Sequence, residues 1–199
     1  MDASDPDSPI ISDSLGLNRF IRQLKPDAIK LHLGCGGVRW RDFINVDMYP
    51  HDGTAADSSR QGCIADVFAD MRKLGLSDDS VDEIFTSHTI DHFTRWEAVD
   101  MLRDWHRILK PGGRVVIEAA DFVRCIIWLL HPNRTKREAA RNQFYGNQWD
   151  RLEYETHRYV WSARELVGVL RDIGFQRISY SHATWTHYQG RDMHVEAFK

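Results

Sequence analysis

Ile29-Lys30-Leu31-His32-Leu33-Gly34-Cys35-Gly36-Gly37-Val38-Arg39-Trp40-Arg41-Asp42-Phe43-Ile44-Asn45-Val46-Asp47 is the stretch whose reading decides the fold. Ile29, Leu31 and Leu33 predict a short strand, which breaks at Gly34-Cys35-Gly36-Gly37. Phe43-Ile44-Asn45-Val46 predicts a second strand, closed by Asp47. Glycines directly after a strand let the chain turn sharply and let a ligand reach the backbone with no Cβ in the way. An acid closing the next strand can accept hydrogen bonds from a ribose diol, as in nucleotide-binding α/β folds. The pair reads as a nucleoside site at the carboxyl ends of two parallel strands.

Spacing narrows the ligand. A dinucleotide fingerprint runs Gly-x-Gly-x-x-Gly into a helix, with the acid about twenty residues on. Here Arg39 stands in the third glycine's place and Asp47 comes early. Residues 34–42 are also too few for an ordinary crossover helix. Both features disfavour a pyrophosphate cradle, and with it a nicotinamide enzyme. A nucleoside ligand without phosphates fits better, and S-adenosylmethionine is the foremost candidate.

The 199 residues are enough for one domain with a real core. No apolar run approaches the length of a membrane span, and the first residues lack a basic, apolar leader. The expectation is a cytoplasmic protein with no membrane partner. Cys35, Cys63 and Cys125 are odd in number and form no Cys-x-x-Cys, which suggests neither a disulfide framework nor a thiolate metal site. The net charge of −3 is uneven, because residues 1–13 hold four acids and no base. The near-neutral remainder leaves no electrostatic footprint for nucleic acid. The richest basic patch is Arg134, Lys136, Arg137, Arg141 and Arg151. It reads first as a solvated helix face and second as a contact for an anionic substrate.

Residues 1–12 are acidic and rich in Ser and Pro, and are expected to be a disordered tail before a domain spanning 13–199. Leu15–Leu24 predicts an amphipathic helix. Further strands are expected at Cys63–Ala69, Val81–Ser87, Arg114–Ala119, Phe175–His182 and Asp192–Phe198. Thr94-Arg95-Trp96-Glu97 and Ser162-Ala163-Arg164-Glu165 are capping boxes opening two helices. The first should place Trp96, Val99, Leu102, Trp105 and Leu109 on one side and stop at Lys110-Pro111-Gly112-Gly113. The second should close at Gly174. Residues 122–161 read as an irregular, aromatic insertion on the substrate side.

This order of elements resembles a class I S-adenosylmethionine-dependent methyltransferase over roughly residues 28–199. Leu31-His32-Leu33-Gly34-Cys35-Gly36 looks like the family's glycine motif, and Asp47 sits where the ribose-binding acid belongs. Asp70-Met71 matches the place of the adenine contacts, Leu74–Asp82 the lead-in to strand four, and Leu109-Lys110-Pro111-Gly112-Gly113 the block before strand five. Ser-His-x-x-Asp-His-Phe at 87–93 further resembles a small subgroup linked to surface polysaccharide or secondary-metabolite pathways. The resemblance implies a Rossmann-like, seven-stranded, mostly parallel sheet with helices on both faces and an antiparallel last strand. It implies a cofactor site of Leu33, Gly34, Cys35, Gly36, Gly37, Asp47, Met48, Asp70, Met71, Ser87 and His88.

A sulfonium methyl is already electrophilic, so catalysis needs in-line positioning and, for a neutral hydroxyl, a base. His88, Asp91, His92 and Asp121 stand where strands four and five open out, and His88 is expected nearest the methyl. Asp91 or Asp121 could orient it or the acceptor, while Asp91 and His92 could equally cap the next helix and pack beneath it. His157 could enter from the insertion, whose Tyr145, Trp149 and Tyr159 would suit a flat or sugar-like acceptor or else form a satellite core. No histidine spacing completes a metal ligand set, and Cys35 reads as a packing residue. The expected activity is methyl transfer to a small-molecule or glycan acceptor, with a hydroxyl favoured. The alternative is a non-catalytic cofactor-binding module acting through partners. A homodimer remains open.

Overall fold

Leu31, Leu33, Ile44, Val46, Ile84, Val115 and Ile117 lie buried on one face of a seven-stranded sheet in the computed structural model. The structure describes residues 14–48, 63–146, 155–183 and 188–199. The expected tail, Trp149 and Arg151 lie outside them. In chain order the elements are α1 (Ser14–Leu24), β1 (Lys30–Leu33), β2 (Ile44–Asp47), β3 (Val67–Phe68) and β4 (Val81–Ser87). Then come α2 (Arg95–Ile108), β5 (Leu109–Ala120), α3 (Phe122–Leu129), α4 (Arg134–Tyr145), α5 (Ala163–Ile173), β6 (Gln176–His182) and β7 (Asp192–Phe198).

The strand order is β3-β2-β1-β4-β5-β7-β6. The pairs β2–β3, β1–β2, β1–β4 and β4–β5 are parallel, and β7 runs antiparallel to both neighbours. Helices α1, α2 and α5 share one core with the inward strand residues. Successive residues of a strand face opposite sides. Ala119 joins that core while Ala120 packs with Cys125 and Ala140, so α3 and α4 cover the other face at its carboxyl edge.

Several local expectations are corrected. Residues 122–161 are not irregular throughout, since Asp121 and Asn133 each cap a helix by accepting from the backbone N–H three residues on. The helix does stop ahead of Lys110–Gly113, and that block forms the start of β5, which begins earlier than Arg114. On α2 the buried stripe is Ala98, Met101, Leu102, Trp105 and Ile108, which turns Trp96 outward at 69% exposure. The Thr94–Glu97 box forms in both directions. Ser162 caps α5, but the Glu165 carboxylate turns to Arg95 and the Tyr159 hydroxyl instead. Only Val67–Phe68 of the third strand pairs.

No helix forms between β1 and β2, as their spacing requires. The vacated face is covered by Trp40, whose ring stacks 4.1 Å from Phe85 and 5.1 Å from His32, with Phe43 edge-on. Asn45 pins the connection, its amide donating to the Trp40 and Phe43 carbonyls while its oxygen accepts from the Trp40 N–H. Burial pushes His32 below the ordinary histidine value, against the opposing pull of Asn45 and Asp47, which keeps a neutral ring in the stack. Removing an aromatic ring from such a stack forfeits transfer and packing energy together. Trp40→Ala should cost about 2–4 kcal/mol in urea denaturation, and Trp96→Ala less than about 0.5 kcal/mol. Equal losses would show that the aromatic stack does not replace the missing helix.

Candidate active site

The glycine loop is tied to β2 by the Gly34 and Cys35 N–H groups, both donating to the Val46 carbonyl at 2.9 and 3.2 Å. Gly34 is left-handed, and a Cβ there would lie 2.2 Å from Thr89 Oγ1. Gly36 is left-handed too, but its Cβ would meet nothing within 4 Å. Asp47 is buried, with one oxygen accepting from Gly36 N at 2.8 Å and the other from Met48 N at 2.7 Å. Each carboxylate oxygen has a second acceptor site. Bare backbone at Gly36 beside an anchored acid is what an adenosyl ligand requires, so these residues fit the cofactor.

The remaining residues expected at the cofactor lie on or just after β1, β2, β3 and β4. Leu33 is buried, its carbonyl accepting from the Thr86 and Thr89 hydroxyls. Gly37 is exposed, and Met48 and Ser87 are half-buried. Asp70 is held by Arg72 through the backbone N–H and the guanidinium. Met71 is sealed in the core, its carbonyl accepting from the Trp105 indole. Cys63 comes against Cys35, and their sulfurs and an Asp47 oxygen lie within 4.8 Å of one another. This is the one such donor cluster among the described residues. Its hydrogen bond to Cys63 and its burial hold the Cys35 thiol far above the usual range, in keeping with a packing role.

His88 closes β4 in a left-handed backbone conformation, its N–H donating to the Glu118 carbonyl. Its Nε2 donates to Asp192 Oδ2 at 3.1 Å, and Arg191 Nε donates to the other Asp192 oxygen at 2.5 Å. Burial alone would depress the His88 pKa. The Asp192 hydrogen bond and the charges of Asp91 and Asp192 outweigh it, so the group is raised above 6.5. Burial likewise works against ionised Asp192, but His88 and Arg191 bring its carboxyl down to about 2.

The carboxylate that holds His88 is therefore Asp192, not Asp91 or Asp121. Asp121 joins two helix starts, accepting from Arg124 N on α3 and Ala163 N at the first position of α5. Asp91 does not cap α2. Its buried carboxylate accepts from the Gln143 amide and lies 3.6 Å from His157 Nδ1, which donates to the Gln143 carbonyl. His92 meets the His157 ring edge-on at 4.7 Å. Tyr145 is exposed at the end of α4. Tyr159 lines a cavity of about 350 Å³ with Phe122, Phe144 and Arg158, and none of the glycine loop, Asp47 or His88 borders it.

Asp192, Arg191 and Gln143 were not foreseen. Asp192 had a signal. It opens the last strand, and an antiparallel strand beside β5 must begin at the edge where the parallel strands end. Nothing local marks Gln143, whose partner lies 52 residues away.

Residues 31–117 match the family model described as a methyltransferase domain. The chain is 28% identical over 156 residues to the ubiquinone/menaquinone biosynthesis C-methyltransferase UbiE of Acidiphilium cryptum, covering 75% of this chain and 61% of that protein. It is 26% identical over 134 residues to the mitochondrial 2-methoxy-6-polyprenyl-1,4-benzoquinol methylase of Mus musculus, covering 65% and 40%. The chain thus spans less than two thirds of the length of either relative. A solved S-adenosylmethionine-dependent methyltransferase from Archaeoglobus fulgidus superposes with a TM-score of 0.56 at 15% identity, covering 92% of this chain and 91% of that one. Residues 31–117 are thus similar to a methyltransferase domain, and the sheet order is the fold shared with solved S-adenosylmethionine-dependent methyltransferases.

Proposed function

We propose that the protein moves the methyl group of S-adenosylmethionine onto a small acceptor bearing an aromatic hydroxyl, with His88 taking the hydroxyl proton. The observation that carries this reading is the chain in which buried Arg191 and Asp192 hold half-buried His88 at the carboxyl end of β4. Gly34, Cys35, Gly36 and Gly37 would wrap the cofactor, Asp47 its ribose diol and Asp70 its adenine edge. Met48 and Ser87 would shape the walls, backed from the core by Leu33 and Met71. Bound there, the cofactor supplies an electrophilic methyl on sulfur.

The chain's own work is to align the acceptor and accept its proton. With Nε2–H committed to Asp192, the basic nitrogen of His88 is Nδ1. Arg191 keeps Asp192 ionised, which stabilises the imidazolium that forms. Asp91, His92 and His157 act behind His88 as positioning groups, Asp121 joins the helices that frame the opening, and Tyr145 and Tyr159 offer faces to the acceptor.

Acidity favours a phenol-like acceptor over a glycan. A phenolic hydroxyl, with a pKa of about 10 as in tyrosine, lies within reach of a raised histidine. A sugar hydroxyl is a far weaker acid. Deprotonation also makes ring carbons nucleophilic, so one base serves oxygen or carbon methylation. The quinone and quinol in the two relatives' names support the same class.

Calorimetric titration of the purified chain should show micromolar binding of S-adenosylmethionine, weakened about tenfold or more in Asp47→Ala and Gly36→Ala through lost hydrogen bonds and a filled cradle. No binding by folded, cofactor-free protein would overturn the assignment. With phenols, quinols and glycosides as acceptors, His88→Ala should lower kcat/KM about a hundredfold. Binding without turnover on any of them would leave a cofactor-binding module acting through partners.

The rate should rise with pH, because the base must be neutral and its pKa is raised above 6.5. Asp192→Asn removes causes that raise it and leaves burial, so the rising limb should move to lower pH with a smaller plateau. An unmoved limb would take His88 out of the proton transfer.

A further inference from the structure

Helix α3 presents apolar side chains to solvent. Val123, Ile126, Ile127 and Leu130 recur at the spacing of a single helix face, and their exposures are 55, 41, 58 and 83%. Within α3 only Cys125 is fully buried, and Arg124 turns inward to donate to the Asp192 carbonyl. An amphipathic helix normally hides such a stripe, so a continuous exposed one marks a contact surface.

Beside it runs a basic groove. Arg134, Arg137 and Arg141 line a cavity of about 400 Å³ against Leu129 of α3, with Glu138 the one acid on its wall. Lys136 adds a fourth cation over the Trp128 ring. Arginine guanidinium groups match phosphate oxygens in geometry and charge.

We infer that the α3–α4 pair is a docking surface for an anionic phospholipid bilayer, with the aliphatic stripe entering the acyl boundary and the arginine groove facing the headgroup phosphates. An apolar stripe with a flanking cationic face is the design of interfacial helices, which lie on a membrane without crossing it. This agrees with the finding that no helix among the described residues is long and apolar enough to span one. Charge complementarity decides against a second copy of the chain, since a symmetric contact through the stripe would bring two cationic α4 helices together. The surface starts at Phe122, which also lines the cavity beside Tyr159, so a lipophilic acceptor could pass from the bilayer toward the carboxyl edge of the sheet.

The test is co-sedimentation of the full chain with vesicles of phosphatidylcholine alone and of phosphatidylcholine mixed with phosphatidylglycerol. Binding should be about tenfold or more tighter to the anionic vesicles and weaken in high salt. Ile127→Asp should lower it about tenfold, and Arg137→Glu with Arg141→Glu should erase the preference for anionic lipid. Trp96→Asp, on exposed α2 surface, should change nothing. Because all four positions are exposed, circular dichroism should report intact folds. Absent or equal binding to the two vesicle types would overturn the inference. So would a dimer, seen by light scattering, that Ile127→Asp dissociates while vesicle binding is unchanged. None of these readouts depends on methyl transfer, so failure of the lipid surface and failure of the catalytic reading are separable.

Discussion

Gly34 has no room for a side chain. Its left-handed backbone brings the turn after β1 against Thr89, and any Cβ would overlap that hydroxyl. The contact joins the exits of β1 and β4, so the glycine loop and the turn that carries His88 are set by one packing constraint. Thr89 Oγ1 also reaches the Leu33 and Ser87 carbonyls, which ties the two strand ends by hydrogen bonds as well. Gly36, two residues on, obeys the opposite rule. Its missing side chain leaves open space, a clearance that packing does not need and a ligand does.

The direct run from β1 to β2 would expose one side of the sheet had nothing replaced the helix. Trp40 does so with a single residue, stacking on Phe85 and His32, while Asn45 and Asp66 satisfy the backbone and side-chain groups beneath it. A helix would have buried more area. A stacked ring held by an amide network instead confines the connection to ten residues and holds β2, with Asp47 at its end, in register with β1.

Most of the sheet was legible because its signals are local. Short apolar runs marked β1, β2 and β4, and the last strand was bounded correctly from Asp192 to Phe198. Capping chemistry announced α2 and α5, and glycine spacing with the early acid pointed to the cofactor. What escaped was either weakly coded or non-local. Asp121 and Asn133 are good caps, but the aromatic residues scattered after them blur the helical period. The pairing of His88 with Asp192 spans 104 residues and exists only because β7 inserts between β5 and β6. Histidine was foreseen at the edge, and its partner could come only from topology.

The α3 stripe shows the same boundary between pattern and burial. Its periodicity is that of any helix laid on a core, and sequence alone would bury it. Burial depends on what stands opposite. Here Asp121 ties the start of α3 to the start of α5, and Arg124 is drawn inward by the Asp192 carbonyl. Those two polar anchors fix the rotation of an eight-residue helix. Once they are satisfied, Cys125 is left to face the sheet and the bulkier aliphatic residues must point away. Thus Asp192 holds His88 through its carboxylate and, through its backbone carbonyl, helps set which face of α3 meets the surroundings. Polar anchors at the carboxyl edge of the sheet and an apolar surface at the periphery are two consequences of where β7 begins and where Asp121 sits.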